Sequence, residues 1–145
     1  MPASAKPAIY FFFEIPVTLT ERTRLKEYIS SIFKKEKRQL KSINYIFCSD
    51  ERLLEINKQF LKHDYYTDII TFRLSNKMSP VEAEIYISVP RVKDNSLMLK
   101  ENFKRELLRV IFHGALHLCG HKDRSPKEKE LMRKKENLLL KAYFP

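Results

Sequence analysis

The sequence is poor in glycine, cysteine and long apolar runs, and each shortage excludes a class of protein. Two glycines in 145 residues exclude a fibrous or glycine-rich disordered chain. Two cysteines, Cys48 and Cys119, are too few for a disulfide-stabilised secreted domain, so a reducing compartment is expected. The apolar run at 9–13 is too short to cross a membrane, and no signal peptide is recognisable. The sequence therefore predicts a globular cytoplasmic protein that does not enter a membrane.

Positive charge is what the chain has in excess. It carries 28 Lys and Arg against 18 Asp and Glu, a net charge of +10. Such a surplus favours anionic partners, nucleic acid above all, although a domain with a merely basic surface has the same composition. The length and the 43% apolar content suffice for one buried core, so a single domain over residues 1–145 is predicted.

Apolar periodicity predicts the order of secondary-structure elements. Strands are predicted at 9–15, 42–48, 69–74 and 84–89, and helices at 19–37, 50–60, 90–98, after Asn102, and from 126 to about 143. Thr18 with Glu21, and Ser125 with Glu128, have the spacing of helix capping boxes. The helix after Asn102 is apolar nearly all round and should lie centrally. This order predicts an α+β fold, with helices around a small mixed four-stranded sheet.

The end of that central helix carries the residues best suited to chemistry. His113 and His117 are four residues apart, so both imidazoles leave one helix face, with the spacing of two ligands of a divalent metal. Gly120 would end the helix in the left-handed conformation, and the reversed chain can then return His121 or Asp123 as a third ligand. Three protein ligands and one open position describe a catalytic zinc site. Two histidines packed in a core are the alternative.

The residue between the histidines bears on the type of enzyme. Zinc proteases of the H-E-x-x-H type place their general base directly after the first histidine. Here that residue is Gly114, so the ligand spacing is kept without the protease base. Cys119 is about 200° around the helix from His117 and is predicted to be a buried apolar residue, not a ligand.

Three segments resemble one protein family. The stretch from His113 to Asp123 reads H-G-x-L-H-L-x-G-x-x-D and closely resembles H-G-x-L-H-L-x-G-Y-D-H, the signature of the YbeY family of bacterial rRNA-maturation endoribonucleases. Residues 56–72 are similar to the family's L-N-x-x-Y-R-x-K-D-x-P-T-D-V-L-S-F, and residues 84–88 to its G-D-I-x-I-S strand. The match runs in register over roughly residues 42–123.

The resemblance implies a fold and a function. It implies a zincin-like core and a metal-dependent endoribonuclease that acts on single-stranded RNA, in 3′-end maturation of small-subunit rRNA and in ribosome quality control. It implies one Zn²⁺ bound by His113, His117 and Asp123, with rRNA and the small ribosomal subunit as partners. Two other classes stay open: a metallohydrolase of another substrate such as peptide, and a ribosome-associated assembly factor with weak or no nuclease activity.

This chain departs from the family pattern at three places. Asp123 replaces the third histidine; a carboxylate also binds zinc, but its charge should make a metal-bound water less acidic. Leu61 replaces an arginine to which the family assigns phosphate binding, so the neighbouring Lys62 and His63 are candidate RNA contacts. Glu84 replaces an aspartate.

The general base is left unassigned by the sequence. A water on the metal is the only catalytic group that the resemblance supplies. Three carboxylates are candidate bases by their chemistry alone, and each is equally suited to a structural role: Asp64, Asp68 and Glu84.

Overall fold

The order of helices and strands follows the predicted alternation. The structure, a computed structural model, describes residues 6–62 and 67–145. Within these ranges the strands are β1 (Ala8–Phe13), β2 (Leu40–Cys48), β3 (Ile69–Arg73) and β4 (Val81–Ser88). The helices are α1 (Arg22–Lys35), α2 (Asp50–Leu61), α3 (Val89–Met98), α4 (Phe103–Leu118) and α5 (Pro126–Tyr143). The predicted α+β class is confirmed.

The strands form one mixed sheet in the order β1-β2-β4-β3. β2 pairs in parallel with both β1 and β4, and α1 and α2 lie in the connections that parallel pairing requires. β3 pairs antiparallel with β4 and ends the sheet on that side. The four-stranded mixed sheet predicted from the sequence is therefore confirmed, and β3 is the edge strand nearest to α4.

Helix α4 occupies the centre of the fold, as its apolar sequence predicts. Eleven of its sixteen residues are buried, and the buried hydroxyl of Tyr45 on β2 donates to the carbonyl oxygen of Ile111 at 3.2 Å. A Cβ atom at Gly114 would lie 2.9 Å from Cδ1 of Ile85 and 3.1 Å from Cδ1 of Ile69. A side chain at this position would press on both isoleucines, so Gly114 allows α4 to lie close to the sheet. In the described residues no helix is long and apolar enough to cross a membrane.

Three predicted helix starts agree with the structure. The side chains of Ser49, Asn102 and Ser125 each accept a hydrogen bond from the backbone three residues on, and Ser125 with Glu128 forms a full capping box. The fourth strand ends at Ser88 rather than at Val89, because the Ser88 hydroxyl accepts from the backbone of Arg91 and begins α3.

The capping box predicted at Thr18 and Glu21 is wrong. Helix α1 begins at Arg22, and Glu21 before it adopts the left-handed conformation at φ 52° without a side-chain cap. Leu19 is buried in the core, and Nε of Arg22 donates to its carbonyl oxygen at 3.0 Å. Because Leu19 is packed in the core, residues 19–21 stay outside the helix, which starts three residues later than predicted.

The end of α4 reverses the chain toward the helix it has just left. Gly120 has φ +100°, the N–H of Gly120 donates to the carbonyl of His117, and that of His121 donates to the carbonyl of Leu116. These two bonds are the Schellman pattern expected of a helix-ending glycine. The reversal places Asp123 beside α4 and directs α5 back along it.

We expect Gly120→Ala to lower the free energy of unfolding by about 1–2 kcal/mol, because a Cβ is strained at positive φ. Gly120→Asn should lose less, since asparagine enters the left-handed region more readily. Urea unfolding followed by circular dichroism measures both variants. If alanine is as stable as glycine here, the left-handed turn is not a constraint on the fold.

Candidate functional site

A cavity of about 700 Å³ opens beside α4. Its first side, the β3 wall, consists of Asn57, Leu61 and residues 67–71. Its second side, the α5 wall, consists of Asp123, Arg124, Lys129, Met132, Arg133 and Glu136. Between the walls lie residues of α4, among them His113 and His117. All three predicted metal ligands therefore border one cavity.

His113 is held between two carboxylates. Its Nδ1 lies 2.7 Å from Oε2 of Glu136 on α5, and its Nε2 lies 3.2 Å from Oδ2 of Asp123. Two ligands of a tetrahedral zinc ion, each about 2.0–2.1 Å from it, are about 3.3 Å apart. The separation of His113 Nε2 and Asp123 Oδ2 thus fits two ligands of one ion. Metal-binding histidines are commonly oriented by a carboxylate at their other ring nitrogen, and Glu136 occupies that position here.

The chain reversal separates the two candidates for the third ligand. Asp123 enters the cavity, whereas Nε2 of His121 contacts the carboxylate of Glu36, the residue that ends α1. Lys135 approaches the same Glu36 carboxylate at 3.5 Å. His121 is therefore engaged away from the cavity, and Asp123 is the residue that the fold brings to His113.

The predicted metal centre is only partly assembled. Across residues 6–62 and 67–145, no three side chains of His, Cys, Asp or Glu already surround a common point. His113 and Asp123 are paired, and His117 borders the same cavity one helical turn further on, with an exposed side chain. The three-ligand site stays a prediction.

Opposing effects set the protonation of His113. Burial disfavours the charged imidazole, but the hydrogen bond to Glu136 and the negative charges of Glu136, Asp123 and Asp68 favour it and together raise its pKa. Burial also raises the pKa of Asp68, with His113 as a smaller opposing influence. Glu136 at Nδ1 and Asp123 at Nε2 thus place negative charge at both ring nitrogens of His113.

A buried ionic cluster lies behind His113. Glu106, Arg109 and Glu136 are each no more than 6% exposed. Nη1 of Arg109 lies 3.3 Å from Oε1 of Glu136. Nε of Arg109 lies 3.4 Å from Oε1 of Glu106, and neither Nε of Arg109 nor Oε1 of Glu106 has a hydrogen-bond partner among the described residues. Sequence reasoning missed this cluster. The available signal was that Glu106, Arg109 and His113 share one face of an otherwise apolar helix.

The other predicted residues are divided between the cavity and the rest of the molecule. Leu61 and Asp68 line the β3 wall, and Nδ2 of Asn95 donates to Oδ2 of Asp68 at 3.2 Å. Lys62 is exposed after α2 and is not a lining residue. Glu84 points to the sheet face opposite Ile85, and therefore away from α4. His63 and Asp64 lie outside the described residues.

Cys119 behaves as the sequence predicts. Its side chain is buried, and burial raises the pKa of its thiol to about 12. A protonated, enclosed thiol is neither a metal ligand nor a nucleophile near neutral pH. The sulfur therefore belongs to the packing at the end of α4.

A family comparison covers nearly the whole chain. The family model for Endoribonuclease YbeY matches residues 14–144. The chain is 50% identical over 133 residues to an endoribonuclease YbeY of Cytophaga hutchinsonii, covering 91% of this chain and 93% of that protein. It is 44% identical over 135 residues to that of Flavobacterium psychrophilum, covering 93% and 96%.

A solved structure has a similar fold. The solution structure of a Thermotoga maritima protein superposes with a TM-score of 0.64 at 29% sequence identity. The superposition covers 93% of this chain and 91% of that protein. The sheet and helices described above are therefore a fold that a distant relative shares.

We expect Glu136→Ala to lower the free energy of unfolding of the metal-free protein by about 3 kcal/mol, because Arg109 loses a carboxylate that neutralises its buried charge. Glu130→Ala is the matched control: the same substitution on the same helix removes an exposed pair with Lys134 and should cost at most about 0.5 kcal/mol. Urea unfolding measures both. Equal losses would show that the buried cluster does not stabilise the fold.

Proposed function

Because the chain belongs to the endoribonuclease YbeY family, we propose that it is a metal-dependent endoribonuclease that cleaves single-stranded RNA. The observation that carries the proposal is the 3.2 Å approach of His113 Nε2 to Asp123 Oδ2 in a cavity that His117 also borders. Nitrogen and oxygen donors at this spacing suit a divalent cation, and the net charge of +10 suits an anionic polymer.

The proposed ligands are His113, His117 and Asp123, with Zn²⁺ as the proposed ion. When bound, the ion would lower the pKa of a water and offset negative charge on the phosphoryl oxygens. Glu136 is placed to accept a hydrogen bond from Nδ1–H of His113, so that Nε2, the nitrogen that faces Asp123, would be the one to bind the ion. The reversal at Gly120 holds Asp123 against α4 from the other side.

The proposed biological role follows from the family. We place the activity in 3′-end maturation of small-subunit rRNA and in ribosome quality control, with the small subunit as partner and the cytoplasm as location. Family membership and the basic composition support this role.

Two observations bear on the alternative functions. An assembly factor with weak nuclease activity is supported by Leu61, which gives the β3 wall an apolar side chain where the family has arginine. Peptide hydrolysis is opposed by Gly114, which has no carboxylate at the position where proteases of the H-E-x-x-H type place their general base. RNA cleavage is the function we favour.

Removal of a proposed ligand should abolish metal binding and activity together. We expect His117→Ala to lower zinc affinity by roughly 100-fold or more and to lose RNA cleavage. Loss of a residue that only hydrogen-bonds a metal ligand already lowers metal affinity by roughly 10- to 100-fold, and loss of the ligand itself should lower it more. His121→Ala is the control, because its ring contacts Glu36 outside the cavity. Zinc titration and a cleavage assay on single-stranded RNA are the measurements. If folded His117→Ala cleaves at the wild-type rate, the nuclease site lies elsewhere.

A second pair of variants tests the carboxylate ligand. Asp123→Ala should lose zinc as His117→Ala does, whereas Asp123→His supplies the donor that the family has there and should keep zinc affinity within about tenfold. Metal content after dialysis against a weak chelator distinguishes them. Retention of stoichiometric zinc by Asp123→Ala would remove Asp123 from the ligand set.

A further inference from the structure

Among the described lining residues, the exposed lysine and arginine side chains all lie on one side of the cavity. Arg124, Lys129 and Arg133 belong to the α5 wall. The described residues of the β3 wall include no lysine or arginine, and residue 61 on this wall is a leucine. A polyanion that enters this cavity therefore meets cations from α5 and from the turn before it.

These three cations are available to a ligand. Lys129 and Arg133 are four residues apart on α5 and leave the same face of the helix. NH1 of Arg133 is 4.0 Å from Oε1 of Glu136, at the outer limit of an ion pair, and its side chain is 47% exposed. Arg124 and Lys129 are both exposed, and in the described part of the chain no ion pair joins the guanidinium of Arg124 or the ammonium of Lys129 to an acidic side chain.

The acidic groups of the cavity do not cancel this charge at its surface. Glu106 and Glu136 are buried and paired with Arg109, and Asp123 is paired with His113. Asp68 lies on the opposite β3 wall, where Asn95 donates a hydrogen bond to it. The unpaired side chains that the α5 wall exposes to solvent are therefore mainly basic. Arg124 directly follows Asp123 in the chain, so this basic surface adjoins the proposed metal ligands.

We propose that Arg124, Lys129 and Arg133 bind the phosphate backbone of the RNA substrate along the α5 wall, an inference that rests on the function proposed above. Arginine supplies a planar fork that matches two phosphoryl oxygens, and lysine supplies a compact charge. Such contacts fix the position of the strand without reading its bases. Leu61 on the opposite wall is apolar and offers phosphate no comparable contact.

Phosphate binding of this kind has a defined salt dependence. For a single strand, the slope of log affinity against log salt concentration is about −0.7 for each phosphate neutralised. Three contacts therefore contribute about −2 to the slope, and neutralising all three residues should flatten it by that amount.

The test measures binding of a fluorescent single-stranded RNA oligonucleotide to metal-free protein by anisotropy, over a range of salt concentrations. The triple variant Arg124→Gln, Lys129→Gln, Arg133→Gln should bind at least about 30-fold more weakly, with the flattened slope. Lys134→Gln is the control: the residue follows Arg133, is 68% exposed and pairs with Glu130, but does not line the cavity. Its affinity should stay within about threefold of wild type, since one rim charge is screened.

A rescue variant tests whether the two walls serve the same task. Leu61 is 40% exposed at the cavity, so Leu61→Arg can be accommodated. Added to the triple variant, it should restore affinity at least about fivefold by supplying a guanidinium from the β3 wall.

The outcomes separate this inference from the proposed function. Wild-type affinity and slope in the triple variant, or no RNA binding by the wild-type protein, would overturn the α5 wall as a phosphate site. An equal loss in Lys134→Gln would do the same, because general charge would then explain the binding. If zinc-loaded wild-type protein binds RNA through the α5 wall without cleaving it, the proposed nuclease activity is refuted and the α5 wall remains a phosphate-binding site.

Discussion

The carboxylate of Glu136 joins the parts of this molecule on which its chemistry depends. One oxygen lies 2.7 Å from Nδ1 of His113, and the other lies 3.3 Å from the guanidinium of Arg109, all in a largely buried setting. Because His113 and Arg109 belong to α4 and Glu136 to α5, the contact fixes the second helix against the first. α5 thereby forms one wall of the cavity, with α4 between this wall and the β3 wall, and the same contact fixes which nitrogen of His113 faces Asp123.

Glycine determines the shape of the site at two positions. At Gly114 the absence of a side chain lets α4 pack against Ile85 and Ile69, which brings the edge strand β3 close enough to form the opposite wall. At Gly120 the positive φ reverses the chain and returns Asp123 to His113. Both glycines of the chain lie in or directly after the part of α4 that carries the proposed ligands His113 and His117.

Local patterns predicted much of this structure, and distant contacts explain what they missed. Apolar periodicity and the cap at Ser125 depend on neighbouring residues, so the element order and the start of α5 were predictable. The start of α1 was not, because burial of Leu19 overrides the pattern at Thr18. The choice between His121 and Asp123 was open in the sequence because it depends on Glu36, which is 85 residues from His121 in the chain.

The central claim is that His113, His117 and Asp123 bind one divalent ion. X-ray absorption spectroscopy of the zinc-loaded protein, read beside a crystal structure of the same preparation, tests it most directly. We expect two imidazole nitrogens at about 2.0–2.1 Å and one carboxylate oxygen at about 2.0–2.2 Å from a single zinc. Zinc bound elsewhere on the chain, or held with His117 turned away from the ion, would contradict it.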